Sequence, residues 1–151
     1  MKGHFHKLKV GRNLLLKSIK GLSDEQLNTI PDGFGNNIIW NLGHILVTQQ
    51  LLVYALAGNT PRISKERIEF FRKGTKPDQI ISASEMKSIL EDIEKTVNQM
   101  ETDYGNGLFK TYKEYPTSYG LTLKTVEEAI QFNNIHEALH LGYILAMKKM
   151  V

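Results

Sequence analysis

The sequence predicts an all-α protein, a single four-helix bundle with long crossover connections. Four long segments place apolar residues at the spacing of an amphipathic helix, and no segment shows the persuasive alternation of a strand. Glycine, proline and capping residues separate these segments. The chain has 151 residues, of which 41% are apolar, so it is long enough to bury roughly 70% of its unfolded surface. We therefore expect residues 1–151 to form one domain.

The first helix is predicted over about residues 4–20, because its apolar residues fall on one side and Gly21 follows. Ser23 has Gln26 three residues after it, which resembles a capping box and predicts a short helix. Pro31 and the turn residues after it end this short helix. The segment is a boundary between elements of one domain.

The second long helix is predicted from Asn36, its expected cap, to about Ala57, where Gly58 and Pro61 form a strong stop signal. This helix approaches the length of a membrane span. It nevertheless contains five polar residues that are costly in lipid, Asn41, His44, Thr48, Gln49 and Gln50. The pattern therefore predicts a buried helix of a bundle.

A long connection, residues 58–81, follows, with one helical turn expected near residues 65–71. Ser82 and Glu85 form another candidate capping box, which begins a third long helix with apolar residues at helical spacing over 86–100. The connection is long enough to return along a whole helix. We therefore expect the second and third long helices to run parallel, joined by a crossover.

The last helix is predicted to begin after a cap at Thr122 or Thr125 and to reach about Lys149. An aromatic stretch precedes it, with Phe109, Tyr112, Tyr115 and Tyr119. These side chains are interpreted either as a lid over a pocket or as ordinary packing.

The composition excludes some classes of function. The chain has no cysteine, so a disulfide, a thiolate ligand and a cysteine nucleophile are all excluded. Its formal charge of +3 comes from basic residues interleaved with acidic ones, which favours neither nucleic acid nor membrane as a partner. The N-terminal sequence has no apolar stretch of the kind that a signal peptide needs. We expect a cytoplasmic protein that acts on a small molecule.

Three histidines are the candidate metal ligands. His136 and His140 are four residues apart on a predicted helix, so they lie on one face about 40° apart. His44, on another long helix, has apolar neighbours that predict a buried side chain. Three imidazoles suit zinc or a similar ion. The alternative is a hydrogen-bonded polar network that only fixes the helix register.

Further polar and aromatic residues share the predicted faces of these histidines. Metal ligands in proteins are oriented by hydrogen bonds from neighbouring polar residues. Buried amides and hydroxyls are costly unless they are bonded, so their presence here favours such a supporting role. The residues predicted to support the ion or line its pocket are Asn37, Trp40, Asn41, Thr48, Asn133 and Tyr143. No catalytic residue is assigned.

Two charged residues near these helices carry open interpretations. Arg12 lies in the apolar stripe of the first helix and is interpreted as a surface residue whose stem packs on the core, the alternative being a cation directed at an anionic cofactor. Glu137 lies about 100° from His136, so an ion pair is at least as well supported as a general base. His4 and His6 project to different sides and are not predicted ligands.

Two motifs resemble the signatures of the DinB-like, YfiT-like superfamily. One is Asn-Ile-Ile-Trp-Asn-Leu-Gly-His, which ends at His44, and the other is His-Glu-Ala-Leu-His-Leu-Gly-Tyr, which begins at His136. The resemblance implies a bundle with crossover connections, three histidines that bind nickel, zinc or a similar divalent ion, and a homodimer. It also implies a transferase that uses a low-molecular-weight thiol of the bacillithiol or mycothiol type.

The chain departs from the family pattern at Tyr143, where relatives often have glutamine, and this puts the substrate in doubt. The leading hypothesis is a metal-dependent thiol S-transferase, or a related hydrolase in which the ion activates water. The alternatives are a non-catalytic metal-binding stress-response bundle and a metal-free interaction module. A cavity that reaches the ion would favour the enzyme.

Overall fold

The structure is a computed structural model that describes all residues, 1–151. Its six α-helices are α1 (Lys2–Ile19), α2 (Asp24–Asn28), α3 (Ile38–Gln49), α4 (Lys65–Phe71), α5 (Ala83–Gly105) and α6 (Val126–Met147). Helix α3 continues as a π-helix, Gln50–Tyr54, and a 3₁₀ turn, Ala55–Ala57. Two short strands, β1 (Tyr115–Pro116) and β2 (Thr122–Leu123), form an antiparallel hairpin. The fold class predicted from the sequence is confirmed.

The four long helices form the bundle. Helices α1 and α3 each pack against both α5 and α6, so α1 and α3 lie across the bundle from one another. One core cluster combines the C-terminal halves of α1 and α6 with α3 and the N-terminal half of α5. The second combines the opposite halves with the π-helical extension of α3. Helices α1 and α6 therefore run in one direction, and α3 and α5 run in the other.

The parallel arrangement of α3 and α5 confirms the predicted crossover. Because α3 and α5 begin at the same end, the chain from Gly58 to Ser82 must return along the bundle. Helix α4 lies in this connection at the position where the sequence predicts a helical turn. It packs against α3, and Phe71 at its end is buried. The crossover is thus fixed to the helix that carries His44.

Side-chain caps define where the helices begin. Ser23 and Gln26 form the predicted capping box of α2, Ser82 caps α5, and Thr125, rather than Thr122, caps α6. The cap of α3 is Asn37, whose side chain accepts from the Trp40 amide, so the prediction of Asn36 is wrong by one residue. Two adjacent asparagines are equally good caps by residue type alone.

The expectation that the chain contains no strand is also wrong. Tyr115 pairs with Leu123 and Pro116 pairs with Thr122, and the turn between them includes Gly120 at a φ of 79°. Strands of two residues are too short to show the alternation that sequence patterns detect. The hairpin precedes α6, and Tyr115 adds an exposed aromatic ring to it.

The helical segment Ile38–Ala57 is long and apolar enough to cross a membrane by length and composition, with a mean hydropathy of 1.2. In the bundle, 83% of its apolar window is buried against other helices. The buried core helix of a globular bundle can have the same length and apolar composition as a membrane-spanning helix. Here the segment forms the central packing surface of the protein.

Candidate metal centre

The three predicted ligands meet between α3 and α6, two helices that pack directly against each other. The His44 ring lies 5.3 Å from that of His136 and 5.0 Å from that of His140, measured between ring centroids. The rings of His136 and His140 are 4.5 Å apart. One ring nitrogen of each residue lies within 4.8 Å of those of the other two. The prediction that these histidines converge is confirmed.

The crossover connection fixes the orientation of the His44 ring. Its Nδ1 lies 2.7 Å from the Phe71 carbonyl oxygen, which only accepts, so Nδ1 carries the proton and Nε2 carries the lone pair. Thr48 Oγ1 lies 3.3 Å from that Nε2. The Trp40 ring stacks on the imidazole, with 4.8 Å between centroids and an interplanar angle of 10°. His44 therefore presents Nε2 in a fixed direction.

An amide fixes His140 in the same way. Its Nδ1 donates to Asn41 Oδ1 over 2.8 Å, and the Asn41 amide group is oriented by donating to Asn36 Oδ1 and to the Asn37 carbonyl. The lone pair of His140 is therefore on Nε2. Metal-binding histidines in proteins typically donate their other ring N–H to a fixed acceptor in this manner.

His136 is buried, and its Nδ1 has no hydrogen-bond partner. Burial and the nearby imidazoles lower the pKa of His136 to about 3, and burial and His44 lower the pKa of His140 to about 4. Burial also lowers the pKa of His44. All three rings are therefore neutral near pH 7, and each keeps a lone pair that can bind an ion.

This donor set fits a divalent metal ion. Two lone pairs are oriented by hydrogen bonds on the opposite side of the ring, and the third ring has a buried nitrogen without a partner. Buried polar atoms are otherwise almost always bonded. Three neutral imidazoles are a ligand set that catalytic zinc sites use, and such a set leaves a further coordination position open.

A half-open cavity of about 250 Å³ adjoins the cluster, with His44 and His136 in its wall. The π-helix and the 3₁₀ turn that extend α3 supply much of its apolar surface. Short π-helical turns are frequent at functional sites. The β1–β2 hairpin covers another side. The full lining is His44, Thr48, Leu51, Leu52, Ala55, Leu56, Lys73, Tyr115, Thr117, Ser118, Tyr119, Phe132 and His136.

A second buried polar cluster lies on the adjacent face of α6. Arg12 is 1% exposed, so the prediction of a surface residue is wrong, and so is the alternative of a cation directed at a cofactor. Its guanidinium binds both carboxylate oxygens of Glu137, over 2.9 and 2.7 Å. The sequence pattern shows an arginine in an apolar stripe, but it does not show the carboxylate that neutralises the arginine from another helix.

The remaining donors of Arg12 bind the other two long helices. Nη1 donates to the Ile93 carbonyl and to Thr96 Oγ1 on α5, and Nη2 donates to Gln49 Oε1 on α3. All five N–H groups of the guanidinium are therefore used. Glu137 forms the ion pair that the sequence analysis allowed, and its carboxylate is occupied by Arg12 and not by the histidine cluster.

Several predicted pocket residues have other positions. Asn37 caps α3 and contacts the cluster only through Asn41. Asn133 donates to Glu137 Oε1, so it belongs to the ion-pair cluster. Tyr143 is 42% exposed and packs edge-on against Phe34, away from the cavity lining.

The four aromatic residues that precede α6 are interpreted from the sequence either as a lid or as ordinary packing, and the structure shows two of each. Tyr115 and Tyr119 line the cavity, as a lid would. Phe109 packs edge-on against Tyr54, and Tyr112 donates to the Leu52 carbonyl. Half of the stretch therefore covers the site, and half packs on the second core cluster.

The connections between helices contribute to the site through residues that the sequence pattern does not indicate. Phe71 orients His44 through a backbone carbonyl, which no residue type signals. Lys73, two residues later, lines the cavity. Thr117 and Ser118 lie in the turn of the hairpin. Gly120 in that turn is the signal that could have indicated it.

The fold and this cluster define the class of protein: a helical bundle with a buried three-histidine cluster that can hold a metal ion. Comparison with known families supports the same assignment, since the DinB superfamily model matches residues 7–144. The chain belongs to the DinB superfamily. No curated protein matches it.

Proposed function

We propose that this protein is a metal-dependent transferase that acts with a low-molecular-weight thiol, or a related hydrolase. The observation that carries the proposal is the cavity, because two of the three histidines lie in its wall. A structural ion needs four protein ligands and no access, whereas a catalytic ion keeps a position open to substrate. Three histidines beside a half-open cavity are the arrangement expected for a catalytic ion.

Each group of residues at the site would have a different role. His44, His136 and His140 would hold the ion, and the Phe71 carbonyl and Asn41 would keep two of the rings in the binding tautomer. A divalent ion bound there would lower the pKa of a thiol or water molecule in the open position. The apolar wall would position the second substrate beside that group and exclude bulk water.

The transfer step requires no side chain as nucleophile. The thiol releases its proton to water at the mouth of the cavity, and its sulfur forms a bond to the electrophilic carbon of the second substrate. The bond from that carbon to the leaving group breaks, and the leaving group departs with the electron pair. In the hydrolase variant, the oxygen of water takes the place of sulfur.

Transfer assays with a metal-loaded protein test the proposal. Protein loaded with zinc or nickel is mixed with cysteine, glutathione or bacillithiol and monochlorobimane, and with nitrophenyl acetate to measure hydrolysis. We expect turnover by the wild type and by His6→Ala, a control with an exposed histidine outside the cluster. His44→Ala should lose both metal and turnover.

Metal binding without turnover of any thiol or ester would instead support the stress-response bundle, in which the ion only joins α3 and α6. Failure to bind metal at all would favour the interaction module. The homodimer and the cytoplasmic location stay predictions, which sedimentation of the purified protein and cell fractionation test.

A further inference from the structure

We propose that Lys73 makes the cavity a binding site for a small organic anion, a carboxylate attached to an apolar or aromatic body. The inference rests on the proposed function only in using the same cavity. Binding of such an anion requires neither the ion nor turnover, and it can therefore be tested separately.

The charge of the cavity wall supports this assignment. Lys73 is the only charged residue in the lining, and no carboxylate faces it there. All four arginines form ion pairs, whereas most lysines do not. Lys73 differs from the other unpaired lysines because it lies in the cavity wall. The side chain of Lys73 is exposed and forms no ion pair with the chain, so its ammonium group is free to bind a ligand.

The backbone beside Lys73 is anchored. Phe71, two residues earlier, is buried, and its ring packs so closely on Gly43 that an added Cβ there would overlap it. The Phe71 carbonyl also binds His44, and Gly74 turns the chain immediately after Lys73 with a φ of 92°. The lysine stem therefore starts from a fixed point beside the histidine cluster.

The remaining wall defines the body of the ligand. Leu51, Leu52 and Leu56 on the extension of α3 form an apolar surface together with Phe132 of α6. An ammonium at one side and aliphatic and aromatic walls at the other match a carboxylate joined to a ring or short chain. A volume of about 250 Å³ limits the ligand to a small molecule.

Calorimetric titration of the metal-free protein with benzoate and with benzamide tests the proposal, because the two probes share a ring and differ in charge. Removing metal ensures that an ion does not bind the carboxylate. We expect benzoate to bind at least about tenfold more tightly than benzamide, as a hydrogen bond to a charged group allows. The preference should weaken as salt is added.

Variants at two lysines of the same connection make the test specific. Lys73→Gln should bind both probes equally, and Lys73→Arg should keep the preference. Lys76→Gln is the matched control, since Lys76 is exposed and lies outside the cavity lining. Circular dichroism checks that each variant is folded.

Equal binding of benzoate and benzamide by the wild type would overturn the proposal, and so would a preference that survives in Lys73→Gln. Neither result depends on thiol transfer. Absence of turnover in the transfer assays, with the benzoate preference intact, would reject the proposed reaction and leave this site standing.

Discussion

Two buried polar clusters lie side by side on α6, and they differ in how completely their atoms are bonded. In the ion-pair cluster, the charged groups are fully bonded: Arg12 uses all five N–H donors, and Glu137 accepts on both oxygens. The one atom without a partner there is the neutral Asn133 Oδ1.

In the histidine cluster, His136 Nδ1 has no partner. The Nε2 atoms of His44 and His140 lie opposite their bonded Nδ1 atoms, and Thr48 Oγ1 lies 3.3 Å from that of His44. Adjacent residues, His136 and Glu137, thus belong to opposite kinds of site.

The difference indicates what each cluster does. A buried ion pair whose charged groups are all bonded within the protein joins helices and leaves no charged group for a ligand. A buried cluster of imidazoles whose ring nitrogens are incompletely bonded is costly unless something binds it. The comparison assigns a structural role to Arg12 and Glu137 and a binding role to the histidines, and four experiments test that division.

The largest effect is expected from breaking the ion-pair cluster. Arg12→Ala leaves Glu137 buried without its counter-charge, so the free energy of unfolding should fall by about 3–5 kcal/mol. Urea unfolding of the metal-free protein, followed by circular dichroism, measures the loss.

A double variant controls for the possibility that Arg12→Ala does not fold. Arg12→Met combined with Glu137→Leu removes both charges and fills the space, and it should recover at least part of the lost stability. If the double variant is as unstable as the single one, the unpaired charge is not the cause.

The next effect should come from zinc binding to the histidine cluster. At a free zinc concentration roughly 100-fold above Kd, the wild type should gain about 2.7 kcal/mol of stability. The triple variant of His44, His136 and His140 to Ala should gain none, because it lacks all three ligands. Thermal unfolding with and without zinc gives the gain.

A double variant of His4→Ala and His6→Ala is the matched control, since neither histidine lies in the cluster. It should gain as much as the wild type. A zinc-dependent gain that persists in the triple variant would place the ion elsewhere.

A smaller effect on zinc affinity is expected from replacing the asparagine that supports each cluster. Asn41→Ala removes the acceptor that orients His140, so zinc affinity should fall about 10- to 100-fold. Asn133→Ala removes a donor to Glu137, so it should lower stability and leave zinc affinity unchanged. Competition with a zinc chelator measures affinity. If both variants lost zinc affinity equally, the two clusters would not be functionally separate.

The smallest effect concerns acid. The pKa of His136 is about 3 in the folded protein against 6.5 for an unperturbed histidine, so the unfolded chain takes up the proton first. Stability from this group is therefore present above about pH 6.5 and is lost progressively as the pH falls towards the folded pKa. Between pH 7 and pH 6 the loss should be roughly 0.7 kcal/mol for one such histidine.

Urea unfolding of metal-free wild type and His136→Gln at both pH values measures this difference. The variant should lose less stability than the wild type over the same interval. An identical pH dependence in the two proteins would mean that the His136 ring takes up a proton as readily in the folded state as in the unfolded chain.

The sequence predicts features that depend on local pattern. Caps at Ser23 and Ser82 follow from residue type and spacing, whereas residue type alone leaves Thr122 and Thr125 equal as the cap of α6. His136 and His140 lie on one face because four residues make about one turn. His44 was found because a polar residue in a long apolar helix needs a partner. These predictions required only the residues themselves and their neighbours along the chain.

Features that depend on distant residues were missed. The partner of Arg12 is 125 positions away, and the choice between a surface and a buried arginine depends on that partner. The Phe71 carbonyl belongs to a connection whose path is set by packing on α3, and a backbone atom has no signature of residue type. Tyr143 was placed near the ion by helical angle alone, whereas its ring packs against Phe34.

The position of α6 along the chain has a consequence for the order of events during synthesis. A growing polypeptide carries His44 and Arg12 long before His136, Glu137 and His140 have been made. Until α6 packs against the other helices, His44 is the only histidine of the cluster in place, and Arg12 lacks the counter-charge of Glu137. Assembly of the three-histidine cluster and closure of the four-helix core therefore belong to the same late step, so ribosome-bound chains that lack α6 have only one histidine of the cluster.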